Sequence, residues 1–176
     1  MKKGAFAISG FVTLWGICSL AVATEELVKY QFEKTIKGQK ITVALEIGPF
    51  DSAAHTVRHV SLNEGYLIDG EKPIGNDGAI HATTEFKRFD IYWNGKKIPL
   101  PRHAWSSIFN VPLNAVNPVK SSASGLAVIP SVDGSSILFH FKPSTGDAEE
   151  PDEAWLVVDK KGAWQKFHSD ILLDAR

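Results

Sequence analysis

Every second residue is apolar through stretch after stretch of this chain, and short turn signals separate the stretches. Val28, Tyr30 and Phe32 alternate with Lys29, Gln31 and Glu33; Lys37-Gly38-Gln39 turns the chain; Ile41, Val43, Leu45 and Ile47 alternate on the return. Side chains on a strand point to opposite faces with a period of two, so this pattern specifies a hairpin with one apolar face. A slip of one residue would turn Ile41 to Ile47 into solvent, and the pattern therefore fixes the register as well.

The same grammar recurs. Phe89, Ile91 and Trp93 share a face, and Asn94-Gly95 follows before Lys96 to Leu100 returns. Asn-Gly tolerates positive φ at both central positions of a type I′ turn, whose twist suits flanking strands. Pro99 and Pro101 end the return strand or place it at an edge. Leu126–Ile129 and Ile137–Phe141 flank Asp133-Gly134 as a third hairpin, and Trp155–Val158 and Trp164–Phe167 flank Lys160-Lys161-Gly162 as a fourth. Tyr66-Leu67-Ile68 reads as a short strand closed by Asp69-Gly70. Residues 51–62 fit either a helix or a strand; the β-branched Thr56, Val57 and Val60 favour strand. Pro101 to Phe109 suits one short helix, with Trp105, Ile108 and Phe109 at i, i+3 and i+4. The expected fold is mainly β: an antiparallel two-sheet sandwich or partly open barrel of about eight or nine strands with one short helix.

The first 23 residues follow a different rule. Lys2 and Lys3 precede an uncharged, mostly apolar run to Leu20, and Ala21-Val22-Ala23 lies before Thr24-Glu25-Glu26. A positive start, an apolar middle and small residues at −3 and −1 make the pattern of a secretory signal peptide. Residues 1–23 are thus expected to be removed, leaving 24–176 as a single β-rich domain, periplasmic or secreted, with no stable membrane insertion after cleavage. The only cysteine, Cys18, lies in the leader, which excludes thiol nucleophiles and Cys-ligated metals from the domain. Without the two leader lysines, 17 basic residues face 20 acidic ones, a net charge of −3 with no basic cluster, and nucleic acid is not an expected partner.

Few patterns carry chemistry. His55 and His59 stand four apart, which on a strand spans ~13 Å and defeats chelation, so both read as ordinary surface or cross-strand histidines. Asp147 to Glu153 holds five carboxylates in seven residues and reads as a solvated connection. The loop from Asp69 to Gly78 concentrates glycines and a proline, as functional loops on rigid scaffolds do. Arg102, His103 and Trp105 put a cation, a titratable ring and an indole within four residues, with Tyr92 nearby in the adjacent hairpin. That is the aromatic-plus-arginine chemistry of interfaces; Trp105 also suits a plug for the core. No G-x-S-x-G serine elbow is present. The candidate binding residues are Tyr92, Arg102, His103, Trp105, Asp69, Asp77 and Asp147; no catalytic residue, metal ligand or cofactor is assigned. The expected function is a non-catalytic, monomeric β-domain of the bacterial envelope, a protein-binding or inhibitor-like module whose partner is another envelope or secreted protein. The alternatives are a polysaccharide or peptide hydrolase working through carboxylates or histidine, and a carrier whose mouth is lined by Trp93, Trp105 and Trp155.

Overall fold

The computed structural model describes residues 27–61, 65–75, 82–112, 125–143 and 153–169. The expected leader, residues 1–23, and the candidate residues Asp77 and Asp147 lie outside them. Ten strands are found in this range: β1 (Val28–Ile36), β2 (Gln39–Pro49), β3 (Val57–Ser61), β4 (Gly65–Ile68), β5 (Thr84–Trp93), β6 (Lys96–Lys97), β7 (Leu126–Pro130), β8 (Ser136–Phe141), β9 (Ala154–Asp159) and β10 (Trp164–His168). They form antiparallel sheets in the orders β1-β2-β5-β6, β10-β9-β8-β7 and β3-β4. The fold is mainly β, with no closed barrel among the described residues.

Local sequence explains the hairpins. Lys37 and Gly38, and Asn94 and Gly95, all have positive φ, so both two-residue turns have the primed geometry. Asn94 also accepts the Lys40 N–H through its side chain at 2.8 Å, tying the second turn to β2. Ile41, Val43, Leu45 and Ile47 are all at most 4% exposed, as the alternation requires. Ile137, Phe139 and Phe141 on β8, and Leu156 and Val158 on β9, are fully buried.

One hydrophobic cluster takes side chains from both four-stranded sheets, an arrangement consistent with a two-sheet sandwich. Phe89 of β5 meets Phe139 of β8 at 5.0 Å, and Phe86 meets Phe141 at 5.8 Å. Such edge-to-face aromatic pairs contribute roughly 0.5–1.5 kcal/mol beyond their buried area. Phe86 and Phe89 are three apart and could not share a face on a regular strand. The register between β2 and β5 shifts at Glu46/Ile47, pairing Glu46 with Arg88 and Ile47 with Phe86. Lys87 is the extra residue of this bulge, and both phenylalanines therefore point inward.

Two expectations change. The segment after Pro101 makes only a 3₁₀ turn, Arg102–Ala104, with no side-chain cap at its start. Ile108 and Phe109 are instead extended, bridged to Ile74 and Glu85. A short helix pays a full nucleation cost for few bonds, and tertiary backbone pairing outcompetes it. The ambiguous segment splits: Ser52–Ala54 is a 3₁₀ turn capped by Asp51, and β3 follows.

Candidate functional site

The chain between β2 and β5 leaves the main sheet, forms the β3–β4 hairpin and returns, so β2 and β5 remain neighbours. This excursion meets the Arg102–Phe109 segment. Ile74 donates its N–H to the Ser107 carbonyl at 2.7 Å, and Phe109 donates to the Ile74 carbonyl at 2.9 Å. Lys166 of β10 completes the junction. Its Nζ donates to Ser107 Oγ at 2.7 Å, to Glu71 at 3.1 Å and to the His103 carbonyl at 3.3 Å. His103 itself meets Trp164 edge-on at 5.3 Å.

Beside it lies a second polar cluster. His55 Nδ1 is 2.7 Å from Asp69 Oδ2 and Nε2 is 2.6 Å from Glu85 Oε2. Glu85 is also paired with Lys87, and Asp69 accepts the Thr56 N–H at 2.9 Å. Burial pulls the His55 pKa down, but the hydrogen bonds and charges of the two carboxylates outweigh it and raise the pKa above its usual value. The Thr56 N–H, helped by His55 and by the field of Arg102, holds Asp69 below the usual carboxylate range against the opposing effect of burial.

The junction thus brings Asp69, Arg102 and His103 into one region. It does not include Tyr92, which lies on the far side of the first sheet beside Arg88 and Asp90. Trp105 is 8% exposed and stacks on Phe89 at 5.8 Å, so it plugs the core. Trp93 is buried as well, whereas Trp155 lies on the outer face of its sheet against His140, and the three tryptophans line no common mouth. His55 is not a surface histidine: its side chain is 1% exposed, because Asp69 and Glu85, distant in sequence, satisfy both ring nitrogens. His59 is a cross-strand neighbour of Tyr66, with ring centroids 5.0 Å apart. Among the described residues, no group of three or more His, Cys, Asp or Glu is disposed to hold a metal ion.

This junction is chemically closed. Both His55 nitrogens are bonded to carboxylates, so while the ring is protonated neither can accept a substrate proton. Lys166 Nζ is held between three acceptors, Ser107 Oγ, Glu71 and the His103 carbonyl, as a tie between segments would be.

The outer faces of the two large sheets differ sharply. On the first, the registers align Lys29–Glu46–Arg88, Gln31–Ala44–Asp90 and Glu33–Thr42–Tyr92–Lys97. Charges of both signs cover it, with Asp90 bridging Arg88 and Lys97 at 2.6 Å each. Burial alone would raise the Asp90 pKa, but those two cations lower it. On the second, the aligned rows are Ile129–Leu138–Val157–Gln165 and Ala127–His140–Trp155–Phe167. Ile129 is 51% exposed and Phe167 38%. His140 stacks on Trp155 at 5.1 Å with a 9° interplanar angle and bonds Glu153 at 2.8 Å. Burial would raise the Glu153 pKa, but His140 and Lys142 lower it.

Of these outer-face residues the sequence singles out for binding only Tyr92, as a candidate contact, and Trp155, as part of a carrier mouth, yet a signal existed for the others. Ile137-Leu138-Phe139-His140-Phe141 and Ala154-Trp155-Leu156-Val157-Val158 are nearly continuous apolar runs, which strands covered on both faces display. Comparison with protein-family models, with curated proteins and with solved structures finds no match.

Proposed function

We propose that this protein is an exported, non-catalytic binding module whose outer β7–β10 face docks on an apolar surface of another envelope or secreted protein. The observation that carries this reading is the contrast between the two outer faces. The first sheet is solvated by charge, while the second presents Ile129 and Phe167 exposed, with Leu138, Val157 and Trp155 half-buried between them. Contiguous exposed apolar surface marks interaction sites on soluble domains, and aromatic residues are enriched in interface cores. The leader pattern of residues 1–23 supports export, and the closed hydrogen bonding of His55 and Lys166 argues against acid–base catalysis at the junction. No helix among the described residues is long and apolar enough to cross a membrane.

Site-directed photocrosslinking in cells tests the reading. A crosslinker at Ile129 or Phe167 is expected to capture a defined protein adduct, absent when it is placed at Gln31 or Thr42 on the opposite sheet. The adduct at Ile129 should disappear when Phe167→Glu is added. Equal capture from both faces, capture insensitive to that substitution, or cleavage of cell-wall polymer by the purified domain would each overturn it.

A further inference from the structure

His55 stands between two parts of the fold. Asp69, at the turn that ends β4, takes its Nδ1; Glu85, on β5 of the main sheet, takes its Nε2. The ring is enclosed, with Phe50 stacked on it at 4.9 Å and Phe109 meeting it edge-on at 6.4 Å. A neutral imidazole has one N–H and one lone pair, whereas the imidazolium has two N–H groups. Two ionised carboxylates on opposite nitrogens are therefore both satisfied only when the ring is charged.

The two carboxylates differ in what they can do once the proton leaves. The Glu85 side chain is 6% exposed and is also held by Lys87 and the Asp51 N–H. The Asp69 side chain is 48% exposed and can turn to water. The remaining proton therefore stays on Nε2 toward Glu85, and Nδ1 is left presenting a lone pair to Asp69. The cations facing the cluster are Lys87 on β5 and Arg102 in the 3₁₀ turn, and each acts on a carboxylate rather than on the ring.

We propose that His55 is a proton-operated latch: the imidazolium ties the β3–β4 sheet to β5, and deprotonation opens the Asp69 corner while the two large sheets stay folded. Ile68 remains packed with Ala82 and Phe109, and Glu71 remains bonded to Lys166, so the small sheet loosens without detaching. The sign follows from the direction of each shift. The His55 pKa is raised in the folded state, so its contribution is complete below the ordinary histidine value and is lost as pH rises through the raised one. The Asp69 pKa is lowered, so its contribution disappears as pH falls through that lowered value. The latch is closed between the two.

Amide hydrogen exchange of the purified protein, expressed as protection factors so that intrinsic exchange cancels, reads the latch directly. Between about pH 5.5 and about pH 9, β3 and β4 should lose roughly tenfold in protection while β8 and β9 keep theirs, with His55→Gln giving low, pH-independent protection in β3 and β4. If His55→Gln fails to fold, ¹⁵N chemical shifts of the wild-type ring decide. A change from imidazolium to the Nε2–H tautomer, coincident with the opening of β3–β4, supports the latch. A common pH profile for all four strands, the opposite tautomer, or a ring already neutral at about pH 5 would overturn it.

Discussion

Replacing Lys166 by methionine removes the ammonium but keeps most of the stem, and it distinguishes a structural clamp from a Ser–Lys catalytic pair. Three bonds are lost: to Ser107 Oγ, Glu71 and the His103 carbonyl. Ser107 is 4% exposed, so its hydroxyl loses a partner that water cannot readily replace, at about 1–3 kcal/mol. The Glu71 side chain is 41% exposed and its ion pair contributes at most about 1 kcal/mol. The expected loss is about 2 kcal/mol, which for a domain of this size lowers Tm by roughly 4–8 °C. Lys142→Met is the control: that lysine is 48% exposed and pairs with Glu153 at 3.2 Å, so Tm should move by only about 1–2 °C. Adding Ser107→Ala to Lys166→Met should recover part of the loss, because the stranded hydroxyl is then gone. Scanning calorimetry of the four proteins measures all of this. An unchanged Tm for Lys166→Met would refute the clamp. So would ester or peptide hydrolysis by the wild type that the substitution abolishes without altering Tm.

Two glycines in positive-φ backbone should respond unequally to alanine. Gly75→Ala brings a Cβ against Pro143 and the Phe109 carbonyl and should cost more than about 3 kcal/mol, whereas Gly95→Ala meets open space and should cost about 1 kcal/mol, both by urea titration. Tyr30→Phe should be neutral or stabilising by up to about 1 kcal/mol in the same assay, since the buried Tyr30 hydroxyl has no hydrogen-bond partner among the described residues and burial pushes its pKa up to about 12. In acid, Tm should fall as pH drops below about 4. Asp69, Asp90, Asp133 and Glu153 all have lowered pKa values in the folded state, Asp133 to about 2 through bonds from Ser131 and Ser135, so the unfolded chain takes up protons first. Differential scanning between about pH 2 and pH 6 checks the sign, and a flat Tm across that range would contradict it.

What the sequence made legible was local. A short turn and the pattern beside it lie within one window, so the Ile36–Gln39 and Trp93–Lys96 hairpins and the β7–β8 and β9–β10 pairs could be read directly, along with the buried faces of β2, β5 and β8. The bulge at Lys87 could not, because it appears as a break in the alternation between Phe86 and Phe89 until β2 supplies the register. The helix expected after Pro101 failed for a related reason: the partners that hold Ile108 and Phe109 extended, Ile74 and Glu85, come from elsewhere in the chain. His55 shows the limit most plainly. Its immediate neighbours in sequence suggest an ordinary surface or cross-strand histidine, while its two carboxylates lie 14 and 30 residues away. Asp69 was picked out for its turn-rich loop, and its ring partner went unseen.

The inner and outer rows of the sheets answer to different constraints. Inner residues such as Leu45, Phe139 and Leu156 are fixed by the core, since a polar substitute there would be buried without a partner. Outer positions carry no such requirement, as the first sheet demonstrates: the same architecture tolerates Lys29, Glu46, Arg88 and Asp90 on its solvent side. Folding therefore does not dictate Ile129, Leu138, Val157 and Phe167 on the second sheet. Exposed apolar side chains such as Ile129 and Phe167 also carry a solubility cost that a lysine would remove. The proposed docking of another protein on this face would account for them. Ile129→Lys with Phe167→Lys should then leave Tm within about 2 °C of wild type while abolishing crosslinking from Leu138. A large fall in Tm would return the outer rows to the core of this chain and remove the argument for a partner.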